Sequence, residues 1–392
     1  MYDLVSQKRF GTVLIGTALA LGGCSGERGG EMADSIGIDA ASGNDDGTSG
    51  GTGGATDDPS DGTSGNGTSA DGTDDGDPGE PSSPLKFDFG IPDAPEGSVC
   101  GAPSPVTCDP MSNDPWHALG LNCPGGPQVN GSINLTNAAQ IHVHQGNLGT
   151  YVHPVDGPPF PPREGERMVF LSSGNASHLS NPNVYASTAY NNSQVALPAP
   201  IQINNVSATE DCIDNPGLVG TGDCSNTIQA QYAQGGGPRD YAEMRFTTEV
   251  PVGTFGFSYD FAFFSIEYPV YYKSQYNDMY IAWLESEQWT GNISFDEQGN
   301  PISLNAGFLD YKDASNPHDC PAPCQAPELQ GTALVGNAGT KWLSTQAPVT
   351  PGETITVIFG IFDLSDAVLD SMVILDNFEW NCEGGPPLTI PG

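Results

Sequence analysis

The chain has 392 residues and a formal net charge of −37, from 11 Lys and Arg against 48 Asp and Glu. A surface of that sign repels nucleic acid and anionic lipid head groups, so both are excluded as partners, and it suits cations or neutral ligands such as sugars. The 51 Gly and 34 Pro point to many turns and loops.

Lys8 and Arg9 precede an apolar run from Phe10 to Leu21. That run is shorter than the roughly 20 apolar residues a spanning helix needs. A basic start, a short apolar core and small residues at its end read as a secretory signal over residues 1–24. Leu21, Gly22, Gly23 and Cys24 resemble the bacterial lipoprotein box. The resemblance implies diacylglyceryl modification of Cys24, and Ser25 after it implies the outer membrane and cell surface of a Gram-negative bacterium. The membrane is then a partner through lipid, since several acyl chains at about 0.8 kcal/mol per buried methylene anchor without a helix.

Of nine cysteines, setting Cys24 aside leaves an even set: Cys100, Cys108, Cys123, Cys212, Cys224, Cys320, Cys324 and Cys382. Even parity in an exported chain fits a disulfide framework. Close spacing suggests Cys212–Cys224 and Cys320–Cys324, with the other four pairing among themselves in an order the sequence leaves open. Zinc is the competing reading of Cys320-Pro-Ala-Pro-Cys324, but no second pair at ligand spacing supports it.

Residues 25–84 are Gly, Ser, Thr and Asp with almost no apolar side chains. Such a tract cannot offset the entropy of ordering and reads as a disordered linker. Its r.m.s. reach is on the order of 45 Å, enough to hold a domain off a membrane.

Apolar and aromatic residues return after Pro84, and 85–386 reads as an all-β, antiparallel sandwich or jelly-roll-like domain with few short helices. Asp114, Pro115 and Gly120 mark one short helix as cap, first position and stop. Residues 167–173 form a strand. Met244, Phe246 and Val250 alternate with Glu243, Arg245 and Glu249. Phe255, Phe257, Tyr259, Phe261 and Phe263 alternate with small or polar residues, which predicts a strand with one buried face. Residues 293–304 read as a hairpin around a polar turn, and two further strands follow near the end.

The segment "GFSYDFAFFSIEYPVYYKSQYNDMYIAWL" resembles the core of the choice-of-anchor L domain, through Phe257–Phe263, Glu267-Tyr268-Pro269, Asn277-Asp278 and Met279–Leu284. The ending, with Asp363, Asp370-Ser371 and Asp376, resembles that family's final strands. Ile266 departs from it, standing where a second acidic residue is common. The likeness covers about 240–380 and extends faintly to residues 163–176. It implies a bacterial surface domain and no particular chemistry.

Glu267, Asp278, Asp363, Asp370 and Asp376 border loops at strand ends, so a structural calcium is the one cofactor expected, led by Glu267, Asp278 and Asp370. Tyr268, Tyr271, Tyr272 and Trp289 are the candidate ligand-binding aromatics, for a glycan or a surface-protein partner. Trp283, inside a strand, reads as core. His142, His144 and His153 form the one histidine cluster and lack an acidic companion. No nucleophile elbow, zinc-protease helix or phosphate loop appears, so no catalytic residue is assigned. The leading reading is a lipid-anchored, non-enzymatic surface module for binding or adhesion. The alternatives are a carbohydrate-active hydrolase using Glu267 or Asp278, and a purely structural envelope protein.

Overall fold

Alternating side chains with few helix formers build strands, and thirteen occur among the described residues. They are β1 (Asn130–Leu135), β2 (Ile141–Gln145), β3 (Arg167–Ser172), β4 (Pro238–Glu249), β5 (Gly256–Ser265), β6 (Met279–Glu285) and β7 (Thr290–Asn292), followed by β8 (Tyr311–Lys312), β9 (Ala338–Gly339), β10 (Leu343–Pro348), β11 (Thr354–Leu364), β12 (Ser371–Asn381) and β13 (Leu388–Pro391). The computed structural model describes residues 99–203, 228–296, 300–315, 319–385 and 387–392. The expected signal segment with Cys24, the linker over 25–84 and the Cys212–Cys224 pair lie outside them.

The strands form an antiparallel two-sheet sandwich. One sheet has the order β1-β4-β11-β6-β7, the other β13-β10-β5-β12-β3-β2, with β9 on β5 and β8 on β9. Strands consecutive in sequence, such as β4 and β5 or β11 and β12, sit in opposite sheets. Early strands are woven into late ones: β1 pairs with β4, and β3 with β12 in the register Leu171↔Val373. The expected helix is α1 (Pro115–Ala118), where the Asp114 side chain accepts from Trp116 N at 2.9 Å and Gly120 ends the turn at φ +88°. The expected hairpin at 293–304 reduces to an isolated Phe295↔Pro301 bridge, with Asn300 N donating to Asp296 Oδ1 at 2.7 Å.

Between the sheets Tyr259 meets Phe359 at 4.7 Å and Phe261 meets Tyr280 at 5.0 Å between ring centroids. The expectation of one buried face for β5 needs correction, because its other face is buried as well. Ala262 and Phe264 pack with Phe160, Met168, Phe170 and Trp342, which loops and neighbouring strands fold over the sheet. The opposite sheet is covered in the same way: Met279, Ile281, Trp283, Ile358 and Phe362 lie under Ile201. Glu243, which alternates with the inner-face residues Met244 and Phe246, is therefore buried as well. It takes Tyr241 Oη at 2.6 Å, Arg245 Nε at 2.8 Å and Asn134 Nδ2 at 3.0 Å, which satisfies its charge.

Among the described residues three disulfides are present: Cys108–Cys123, Cys320–Cys324 and Cys100–Cys382, the last across a sequence separation of 282. Cross-linking so long a loop strongly restricts the unfolded chain. Replacing both Cys100 and Cys382 by Ser is expected to lower unfolding free energy by about 2–5 kcal/mol in a denaturant titration.

Candidate functional site

Four strand ends meet at one edge of the sandwich and bring carboxyls together there. Glu267 follows the end of β5, held by its backbone N–H on Ser265 Oγ at 3.2 Å. Asp278 precedes β6, beside Asn277, whose Oδ1 accepts from Asn305 N at 2.8 Å. Asp363 lies near the end of β11, next to a register shift against β4 between Ile361 and Asp363. The extra residue of that bulge lies in β4, so Asp363 keeps the inner-face alternation of Val357, Phe359 and Ile361. Asp370 immediately precedes β12.

The four are no more than 2 % exposed. Asp278 Oδ1 accepts from Leu364 N at 3.0 Å, and its Oδ2 accepts from Ser371 Oγ at 2.7 Å. One carboxyl thus clasps β11 of one sheet to β12 of the other. Asp278 also shares a hydrogen bond with the Asp363 carboxyl, a contact that needs a proton between them. The Glu267 carboxyl accepts from the backbone N–H of Asp278. Asp370 Oδ1 accepts from Thr188 N at 2.6 Å. A Cβ at Gly174 would stand 2.1 Å from Asp370 Cγ, so the chain passes this carboxyl only as glycine.

Charge compensation is missing. Among the described residues, no ion pair reaches these four carboxyls. Glu267 Oε2, Asp363 Oδ1 and Asp370 Oδ2 are buried without a hydrogen-bond partner. Burial, and then the charge of Asp278, pushes Glu267 far above the carboxylate range. Burial and Asp278 do the same to Asp363. Burial pushes Asp278 and Asp370 up to about 7 against their hydrogen bonds.

Asp376, expected with this group, belongs elsewhere and is corrected on that point. It is buried in β12, accepts from Arg163 N at 2.7 Å, and neighbours the Arg163–Asp260 ion pair at 3.0 Å. As they stand, no three His, Cys, Asp or Glu side chains among the described residues are spaced to hold a metal ion.

The candidate aromatics divide by burial. Tyr268 and Trp289 are fully buried, Trp289 with its Nε1 donating to Asn292 O at 3.1 Å, so neither presents a face to a ligand. Tyr271 stays exposed, and half-buried Tyr272 bonds Asp319 Oδ2 at 3.2 Å. His142 and His144 share a face of β2, where His144 stacks on Phe170 at 4.8 Å. His153 instead pairs with Asp156 at 2.7 Å in its own turn.

Sequence reading missed an open cavity of about 410 Å³ whose lining includes Tyr151, His153, Arg163, Tyr311, Glu328 and Trp342. The Trp342 Nε1 is buried and unpaired. Burial, and then the carboxylates of Glu328, Asp310 and Asp156, pushes the Tyr311 hydroxyl up to about 12. The contributing residues are scattered from Tyr151 to Trp342, so no local motif announces them.

Two antiparallel sheets, with few short helices, disulfides in the connecting segments and acids sealed at one edge, define a β-sandwich domain. The pattern of the choice-of-anchor L domain matches residues 129–380, well over half the chain, and the chain belongs to that family. Neither a curated protein nor a solved structure matches it. The family indicates a cell-surface or exported protein. Among the described residues no helix is long and apolar enough to cross a membrane.

The raised carboxyls set the sign of a pH effect. The native state keeps protons that the unfolded chain releases near pH 4, so their stabilisation is complete below that pH and is lost as pH rises toward 7. In metal-free buffer the thermal midpoint is expected to fall between pH 4 and 7. Asp278→Asn should make that slope shallower, which separates the site from general repulsion among the chain's many acids.

Proposed function

We propose that this chain is a lipid-anchored, outer-surface protein that displays a non-enzymatic sandwich for binding, with a glycan as the class of ligand. The observation that carries the non-enzymatic reading is the sealing of Glu267 and Asp278. They are the acids a hydrolase would use, and a polysaccharide cannot reach them. The open cavity suits a hydroxyl-rich ring instead. Tyr151 and Tyr311 offer partly exposed rings, and Arg163, His153 and Glu328 offer donors and acceptors in a space of pocket size. The family's surface character and the Cys24 segment support display at the membrane.

Two measurements test this. Mass spectrometry of the protein from membranes is expected to find a diacylglyceryl-modified Cys24 at the mature terminus, and Cys24→Ser is expected to release it from the membrane fraction. On a glycan array the purified protein is expected to retain a defined set of saccharides, with Tyr151→Ala and Tyr311→Ala each weakening retention at least tenfold. Loss of glycan substrate, with reducing ends appearing, would instead establish a hydrolase.

A further inference from the structure

We propose that the saccharide taken by the open cavity carries a protonated amine, as an amino sugar without an acetyl group does, and that Glu328 receives it beside the rings of Tyr151 and Tyr311. The inference deepens the glycan reading above and rests on it.

The charges that line the cavity do not cancel. Its three basic side chains, His153, Arg163 and Lys341, are each matched to an acid. Arg163 Nε meets Asp260 Oδ2 at 3.0 Å, His153 Nδ1 meets Asp156 Oδ2 at 2.7 Å, and Lys341 Nζ stands 3.7 Å from Asp310 Oδ1. One acid is left over. Glu328 lines the same space and is half-buried, and among the described residues its carboxylate makes no ion pair and no side-chain hydrogen bond. The lining therefore lacks one positive charge, and a ligand that brings it completes the match.

The fold builds the place for that charge. Glu328 sits in a short 3-10 turn, Pro327–Leu329. Just past the turn, Gln330 O accepts from Thr150 N at 2.7 Å, which ties the segment carrying Tyr151 to it. The Tyr311 ring, in β8, is braced edge to face by Phe160 at 5.8 Å between centroids. The carboxylates of Glu328, Asp310 and Asp156 all act on the Tyr311 hydroxyl, so the field at this ring is negative. An ammonium is drawn both to such a field and to the faces of aromatic rings, the pairing by which aromatic cages hold amines. An acidic sugar would instead meet Glu328 as a like charge, and a neutral sugar would leave that charge uncompensated.

The test uses the purified full chain in mildly acid buffer, where a sugar amine keeps its proton. Glucosamine and galactosamine are displayed on an array beside their N-acetylated forms, glucuronic acid, neutral saccharides and a lysine-bearing peptide. Retention of the free amino sugars is expected to be at least tenfold tighter than that of the acetylated and acidic forms. Glu328→Gln should abolish this preference. Glu249→Gln, at an exposed position late in β4 of the other sheet, should keep it. That pair excludes general attraction of amines to an acidic chain, because each substitution removes one of 48 acids. If Glu328→Gln fails to fold, the effect of N-acetylation on the unaltered chain still decides. Equal retention of free and acetylated sugars, or an amine preference that Glu328→Gln leaves intact, would overturn the inference and leave the glycan reading standing. Retention of the peptide alone, or of no saccharide at all, would overturn both.

Discussion

The structure depends on a single buried carboxyl. Asp278 holds the backbone of Leu364 at the end of β11 and the hydroxyl of Ser371 at the start of β12. Those strands belong to different sheets, and the chain between them is only a short loop. A sandwich is otherwise held by non-directional packing of its inner faces. A charge-assisted hydrogen bond fixes direction as well as distance, so this clasp sets how the sheets meet at that edge. Its cost is a charge out of water, and the neighbouring acids raise that cost instead of relieving it.

The surrounding architecture explains how such a group is tolerated. Loops fold over the outer faces of both sheets, so the central strands are buried on two sides. Gly174 lets the chain pass against Asp370, where any Cβ would collide with the carboxyl. Asp363 continues the inner-face alternation of Val357, Phe359 and Ile361, and the extra residue of the neighbouring bulge lies in β4. These features assemble an acidic pocket deliberately, unlike the scattered acids that give the molecule its net charge. The open cavity near Arg163 is of a different kind, with both signs of charge and partly exposed aromatic rings.

Much of this was legible in the residues. Period-two alternation gave β4, β5 and β12, and the Asp114-Pro115 cap gave the short helix. The family motifs pointed to Glu267, Asp278, Asp363 and Asp370, which the fold does bring to one edge. Outer-face burial was not legible, because a strand alternating Phe with Ala or Ser looks half-exposed until a distant loop covers it. Ala262 and Glu243, which alternate with the inner-face residues, are buried for that reason. Asp376 alternates with Ile374 and Phe378 like an inward residue, yet it faces Arg163 across the bulge between Asp376 and Glu379. Aromatic residues near a loop looked like ligand platforms, but Tyr268 and Trp289 fill the core. The disulfide pairing of Cys100 with Cys382 needed the fold, since nothing in the spacing joins the two ends.

Amide hydrogen exchange at Leu364 tests the clasp most directly. The account predicts that this amide is strongly protected in the unaltered protein and exchanges at least a hundredfold faster in Asp278→Ala, while amides at the centre of β11, such as Val357, keep their protection. Equal protection of Leu364 in both proteins would contradict the claim that this carboxyl joins the two sheets.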